Sequence, residues 1–208
     1  MKRALVACIG LVLFAVGARP ASAAPVLGQQ LFATGGDVTA TFLGHTAGFT
    51  NDLYLFDAGD LSTPLAVTAT VGPLGPGLIF TNQTSAPGSS VNLGSFAAGT
   101  ELVFAIYVRN TQQTYFMGPG SRNPDGIFHA AVDNGLAPQF PSYGTVPPGS
   151  IAIGFEDIFG GGDLDYDDLG FAFSSVRRTA TPEPATLSLL ALGLAAGGIR
   201  RLRQGLRG

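Results

Sequence analysis

The sequence of 208 residues contains one cysteine, two histidines and no tryptophan. The cysteine, Cys8, lies in an N-terminal segment that we expect to be removed, so the mature chain has no disulfide, no thiol nucleophile and no cysteine-based metal site. No serine occupies a nucleophile elbow, and His45 and His129 do not have zinc-binding spacing. We therefore predict that the protein is not an enzyme.

Lysine is absent between Ala24 and Thr181, where the basic residues are four arginines. The same segment carries thirteen carboxylates, which gives it a net charge near −9. Such a surface repels nucleic acid, and we predict no nucleic-acid partner. Acidity by itself can serve to keep an exported domain soluble. Clustering of the carboxylates, however, points to cation binding.

Sustained helical periodicity is absent before residue 185. Short runs rich in β-branched and aromatic residues alternate instead with Gly, Pro, Ser, Thr and Asn. We predict an all-β fold, a two-sheet, jelly-roll-like β-sandwich, followed by a short hydrophobic C-terminal sorting helix. The run Glu101–Arg109 is apolar on both faces, as expected for a central strand. The other predicted strands are Val38–Leu43, Leu53–Asp57, Leu65–Val71, Leu78–Thr81, Val91–Phe96, Tyr115–Met117, Ile127–Val132, Ile151–Glu156 and Leu169–Val176.

The N-terminus has the pattern of a secretory signal. Lys2 and Arg3 precede an apolar run from Ala4 to Gly17, and Ala21-Ser22-Ala23 supplies the small residues that signal peptidase requires, with cleavage after Ala23. The pattern predicts a signal peptide over residues 1–23, a β-sandwich domain over 24–180 and a sorting tail over 181–208.

The tail combines three elements in order: Pro182-Glu183-Pro184, an apolar stretch from Leu187 to Ile199, and a basic cluster at Arg200, Arg201 and Arg203. A membrane span needs about 20 apolar residues, so this shorter stretch is more typical of a sorting segment. The arginines favour a cytoplasmic end for the chain. An ordinary C-terminal membrane anchor is the alternative.

These elements resemble the PEP-CTERM sorting tail of exported proteins of Gram-negative bacteria. The resemblance implies recognition and cleavage by an exosortase, with transient contact with the inner membrane through the tail. It also implies that the mature protein lies at the cell surface or in the extracellular matrix.

The segment from Glu156 to Asp168 is the richest in chemistry, with six carboxylates in thirteen residues around Gly160-Gly161-Gly162. A hard divalent cation would remove the repulsion among them, and calcium takes 6–8 oxygen ligands. The alternation of aspartates resembles an EF-hand loop, but Asp168 stands where that loop needs glycine. We predict a calcium site; a solvated acidic hairpin is the alternative. The predicted ligands are Glu156, Asp157, Asp163, Asp165 and Asp168, with Asp167, Asp125 and Asp52 as further candidates.

Two of these further candidates come from other segments. Asn51-Asp52-Leu53 echoes Asp167-Asp168-Leu169, and the two segments can lie at one end of a sandwich. Pro124-Asp125-Gly126 is first of all a turn signal. Its aspartate can pair with Arg122, orient the acidic loop or act as a ligand.

The pattern Gly154-Phe155-Glu156-Asp157, then Gly161-Gly162-Asp163, Asp165-Tyr166 and Asp168-Leu169, resembles the closing motif of an uncharacterised family, domain of unknown function 4114. The resemblance implies a β-rich extracellular domain with a calcium site and no established activity. Members of the family often carry Asn where this chain has Asp167.

Three functions agree with these features. The first is a structural or adhesive protein of the exopolysaccharide matrix, stabilised by calcium. The second is a calcium-dependent carbohydrate-binding module, for which Tyr115, Tyr143 and Tyr166 would supply an aromatic platform. The third is a glycan-cleaving enzyme; Glu156 and Asp157 point to opposite faces of a strand, so only a pair such as Glu156 with Asp163 would serve it.

Overall fold

The computed structural model describes residues 26–132 and 145–179. The predicted signal peptide, Ala23, Tyr143 and the whole sorting tail with its predicted helix lie outside the described residues. The described chain forms fifteen strands: β1 (Val26–Leu27), β2 (Leu31–Ala33), β3 (Gly36–His45), β4 (Asn51–Asp57), β5 (Asp60–Pro64), β6 (Val71–Gly72), β7 (Gly75–Pro76), β8 (Phe80–Thr81), β9 (Ser90–Phe96), β10 (Glu101–Val108), β11 (Gln113–Phe116), β12 (Ala130–Val132), β13 (Ile151–Phe155), β14 (Leu169–Phe173) and β15 (Val176–Arg178). One short 3₁₀ helix spans Gly120–Arg122.

Two antiparallel sheets make up most of the domain. The first has the order β1-β12-β13-β14-β3-β9, and the second has the order β15-β2-β10-β4-β5. In the second sheet, β11 also pairs with β10 and β8 also pairs with β4. A small ribbon is formed by β6 and β7. No helix of the described residues is long and apolar enough to cross a membrane.

The hydrophobic core lies between the two sheets and is formed by the apolar and aromatic side chains of their strands. β10 is buried along most of its length because it has β4 on one side and β2 and β11 on the other. Phe104 on β10 stacks on Phe173 of β14 in the opposite sheet, with ring centroids 3.8 Å apart. Aromatic pairs of this kind add to the area that they bury. The predicted all-β sandwich and its central strand are confirmed.

The predicted strand Leu65–Val71 is wrong. Pro64 ends β5, and the Val67 N–H donates to the Leu65 carbonyl in a tight turn that leads the chain away from the sheet edge. The predicted strand Leu169–Val176 is in fact two strands. Ser175 has φ +56°, and this turn sends β14 and β15 into different sheets.

The topology gathers several strand ends at one end of the sandwich. β13 ends at Phe155, and its neighbour β14 begins at Leu169, where it pairs with the end of β3 at His45. Asn51, the first residue of β4, pairs with Val108, the last residue of β10. The acidic segment 156–168 therefore connects two adjacent strands of the first sheet at the end of the sandwich where β4 begins.

Candidate metal centre

The connection between β13 and β14, residues 156–168, is a tightly folded loop, which we call the acidic loop. Gly160, Gly161 and Gly162 all have positive φ, and so do Leu164 (φ +62°) and Tyr166 (φ +59°). Left-handed conformations cost a non-glycine residue about 1–2 kcal/mol. Such residues persist where surrounding contacts fix them, and they concentrate at functional sites.

Three carboxylates of the acidic loop converge. Glu156, Asp163 and Asp165 each offer an oxygen, and these oxygens lie within 4.8 Å of one another. Glu156 is buried, with only 1% of its surface exposed, whereas Asp163 and Asp165 are exposed. The group is thus a buried carboxylate covered by two carboxylates on the solvent side.

Glu156 is only half satisfied by the protein. Its Oε1 accepts a hydrogen bond from the Tyr166 N–H at 2.6 Å, but its buried Oε2 has no hydrogen-bond partner among the described residues. Burial is the main reason that the pKa of Glu156 is raised to about 7; the Tyr166 hydrogen bond opposes the rise, and the charges of Asp168, Asp163 and Asp165 contribute to it. A buried carboxylate oxygen without a donor is costly unless a cation lies beside it.

Glycine at position 162 leaves room next to this oxygen. A Cβ at Gly162 would lie 2.9 Å from Glu156 Oε2. The donor set consists of carboxylate oxygens without sulfur or imidazole nitrogen, which suits hard cations such as Ca²⁺ or Mg²⁺ rather than Zn²⁺ or Cu²⁺. The residues present fit a hard divalent cation.

Asp157 and Asp168 form a separate pair beside this group. The Asp157 carboxylate accepts a hydrogen bond from Asn51 Nδ2 at 2.7 Å, and the Asp157 N–H donates to Asp168 Oδ2 at 3.0 Å. Burial, together with the Asp157 carboxylate, raises the pKa of Asp168 to about 6. The two segments that resemble each other, 51–53 and 167–169, thus lie at the same end of the sandwich, because both contact Asp157. That Asp157 and Asp168 act as ligands stays a prediction.

The remaining ligand candidates have protein partners. The Thr46 hydroxyl donates to the Asp167 carboxylate at 2.8 Å. The buried Asp52 carboxylate accepts hydrogen bonds from Arg109 at 2.7 and 2.9 Å and from the Thr81 hydroxyl at 2.7 Å. Asp52 is therefore held in a structural ion pair.

Asp125 holds the acidic loop from outside. Its Oδ2 accepts the Gly160 N–H at 2.9 Å and pairs with His129 Nε2 at 2.8 Å, while Oδ1 accepts the Ile127 N–H. Burial alone would raise the pKa of Asp125, but these hydrogen bonds lower it to about 2. Arg122 pairs instead with Glu101 at 2.8 Å. Of the roles considered for Asp125, orientation of the loop is the one the contacts support.

His129 is a residue that the sequence analysis did not assign to the site. It is fully buried, its Nδ1 lies 3.0 Å from the Glu156 carbonyl, and its ring stacks on Tyr115 with centroids 3.8 Å apart. The Glu156 N–H donates in turn to the His129 carbonyl at 3.0 Å. The Asp125–His129 pair thereby ties Gly160 to the start of the loop. The only sign of this pair in the sequence is that Asp125, in a predicted turn, precedes His129, in a predicted strand, by four residues.

The fold and the site define an acidic β-sandwich domain with a carboxylate group able to hold a metal ion. Residues 180–204 match the family model described as the PEP-CTERM protein-sorting motif. The chain thus carries a PEP-CTERM motif, and it is an exported protein with a membrane-anchoring tail that an exosortase sorts. Neither a curated protein nor a solved structure matches the chain. The match to the motif does not reach the β-sandwich, so the resemblance of its closing motif stays a prediction.

Proposed function

We propose that the protein is a structural or adhesive component of the extracellular matrix of a Gram-negative bacterium, and that calcium bound in the acidic loop stabilises it. The observation that carries this proposal is the buried Glu156 Oε2, which has no donor among the described residues and lies beside two further carboxylates. A cation supplies the partner that the protein lacks there.

Calcium fits the group better than magnesium does. Calcium accepts 6–8 oxygens in flexible geometry, whereas magnesium requires a near-ideal octahedron. Glu156 is fixed by burial, but Asp163 and Asp165 are exposed on a loop and leave coordination positions for water or for other oxygens. Extracellular modules bind calcium with millimolar affinity, a range that suits an exported chain.

Calcium would couple export to folding. A cation that binds only the folded state stabilises it by RT ln(1 + [L]/Kd), which is about 2.7 kcal/mol at a hundredfold excess over Kd. The ion would neutralise part of the charge on the acidic loop and join its two ends. The domain would then reach its full stability outside the cell.

A non-enzymatic role is part of the proposal. Only 1% of the Glu156 surface is exposed, which leaves little access for a glycosidic bond between it and Asp163 and supports this part of the proposal. Of the three tyrosines that would form the platform of a carbohydrate-binding module, the two that the structure describes, Tyr115 and Tyr166, are buried, whereas Tyr143 lies outside the described residues. Both observations favour a structural role over the two alternatives.

The first experiment is a thermal melt of the domain, residues 24–181, in EDTA and in about 1 mM calcium. We expect calcium to raise the Tm and magnesium to raise it less. The double variant Asp163→Asn/Asp165→Asn should lose the calcium response. Asp37→Asn is the matched control, because Asp37 is exposed at the opposite end of β3 and should leave the response intact. An unchanged response in the double variant would place the ligands elsewhere.

The second experiment tests the matrix role in cells. We expect the wild-type protein to remain with the extracellular matrix in calcium and to be released by EDTA. The double variant should be released in both conditions. If the variant is retained like the wild type while its calcium response is lost in the melt, calcium binding has no part in retention.

A further inference from the structure

Exposed apolar side chains concentrate around the acidic loop. Among the described residues, the large apolar side chains that are exposed are Leu27, Val71, Phe128, Ile158, Phe159 and Leu164. Three of them belong to the loop itself, and Phe159 is 64% exposed. Phe128 lies beside the loop, since its carbonyl accepts the Tyr166 hydroxyl at 3.2 Å. We call Phe128, Ile158, Phe159 and Leu164 the loop patch.

Single exposed apolar residues are common on protein surfaces, but a group of them around one loop marks an interaction surface. The loop patch is interleaved with the exposed carboxylates Asp163 and Asp165. A dry protein interface would have to desolvate those charges. A lipid surface fits the mixture, because apolar side chains can enter the boundary of the acyl chains while charged groups stay among the headgroups.

The described chain ends near one member of the loop patch, Phe128. β15 runs in the same direction as β10, but Arg178 pairs with Leu31, which pairs with Leu102, at the opposite end of β10 from Val108 and Asn51. Thr179, the last described residue, is bonded to Gln30 through its N–H and its hydroxyl. Gly28, two residues before Gln30, lies against the Phe128 ring, where a Cβ would be 2.8 Å from Cε1.

The sorting tail follows directly. Pro182 lies three positions after Thr179, and Leu187, where the apolar stretch begins, lies eight positions after it. Eight residues reach at most about 28 Å when fully extended. While the apolar stretch lies in the membrane, this connection keeps Thr179 within about 28 Å of the lipid surface, so the loop patch can reach that surface.

We propose that the loop patch docks on the anionic phospholipid surface that the tail enters, and that the cation held by Glu156, Asp163 and Asp165 bridges the loop to lipid phosphates. The proposal rests on the calcium site proposed above. Three carboxylates leave calcium with open positions among its 6–8 ligands, and phosphate oxygens can occupy them. Docking would hold Pro182-Glu183-Pro184 at the membrane for the exosortase.

Charge makes this docking dependent on calcium. Without the ion, the acidic domain and an anionic lipid surface repel each other. With the ion, the loop gains two positive charges at the point of contact. Calcium thus serves as the link to the lipid in addition to stabilising the loop.

The absence of tryptophan allows a direct test. The full chain from Ala24 would carry Phe159→Trp as its single tryptophan and would be inserted through its tail into vesicles of phosphatidylcholine and phosphatidylglycerol. In calcium, we expect the emission to shift to the blue and brominated phosphatidylglycerol to quench it; EDTA should reverse both changes. Val71→Trp is the matched control, because Val71 is 71% exposed on the β6–β7 ribbon and should respond to neither treatment.

The outcomes separate this proposal from the calcium site itself. Loss of the response on adding Glu156→Gln to the Phe159→Trp chain would support docking through the cation. No quenching in calcium, with the calcium-induced rise in Tm intact, overturns docking and leaves the site standing. If the rise in Tm is also missing, both proposals fail. A blue shift in pure phosphatidylcholine that grows with the ratio of protein to lipid, without quenching, identifies contact between copies of the chain and overturns docking.

Discussion

Replacing Glu156 by glutamine should change stability in opposite directions with and without calcium. Glutamine keeps the size of the side chain and an oxygen that can accept the Tyr166 N–H, but it removes the buried charge. In EDTA, the wild-type domain carries that charge without a partner for Oε2 among the described residues. In calcium, the same charge is a ligand.

The magnitude follows from the pKa of Glu156, about 7 in the fold against 4.5 for the free side chain. As the pH rises through 4.5, the unfolded chain ionises while the folded carboxyl stays protonated, so the folded state loses stability until Glu156 ionises near pH 7. The difference between the two pKa values corresponds to about 3 kcal/mol at pH 8. Glu156→Gln should recover up to that amount in EDTA, or about 6–12 °C in Tm for a domain of this size.

The assay is a thermal melt of wild-type and Glu156→Gln domains at pH 8, in EDTA and in saturating calcium. We expect the variant to be the more stable protein in EDTA and the less stable one in calcium. At pH 4.5 the difference in EDTA should disappear, because wild-type Glu156 is then protonated in the fold. A variant that is less stable than the wild type by the same amount in both solutions would refute the reasoning, since Glu156 would then act only through its hydrogen bond.

Three further predictions concern the same domain. In EDTA, denaturant melts should show a fall in wild-type stability between about pH 4.5 and pH 7, because Glu156 ionises late, and calcium should abolish the fall. Gly162→Ala should weaken calcium binding in a titration, because the alanine Cβ would lie 2.9 Å from Glu156 Oε2. Gly160→Ala is the control: position 160 also has a positive φ, but no described atom lies within 4 Å of its Cβ, so the variant should lose only about 1–2 kcal/mol of stability to backbone strain and keep its calcium binding. Arg109→Met should lower the free energy of unfolding by about 1–3 kcal/mol in EDTA and calcium alike, because it deprives buried Asp52 of its cation; a loss confined to calcium would instead make Asp52 a ligand.

Much of the fold could be predicted from local patterns. The Glu101–Arg109 run gave the central strand because its apolar residues occupy both faces, and this property depends on the segment alone. The strand predicted at Leu65–Val71 was wrong because the apolar residues of this segment give no sign of the tight turn that follows Pro64. The break at Ser175 was hidden for a similar reason: a positive φ at serine leaves no trace in the hydrophobic pattern.

The candidate site could be predicted only in part. Proximity in sequence located Glu156, Asp163 and Asp165 on one loop, but it could not separate them from Asp157 and Asp168, which form their own pair. Which carboxylates come together depends on how the acidic loop folds, and this cannot be read from their positions in the sequence. The role of the Asp125–His129 pair was not evident because it arises from the pairing of β12 with β13, a contact distant in sequence.

A calorimetric titration of the domain with calcium at pH 8 is the most direct test that the three carboxylates of Glu156, Asp163 and Asp165 form a calcium site. We predict saturable calcium binding in about the millimolar range, stronger than magnesium binding, and loss of calcium binding in the Asp163→Asn/Asp165→Asn variant. Absence of binding to the wild-type domain, or equal binding to both proteins, would contradict it.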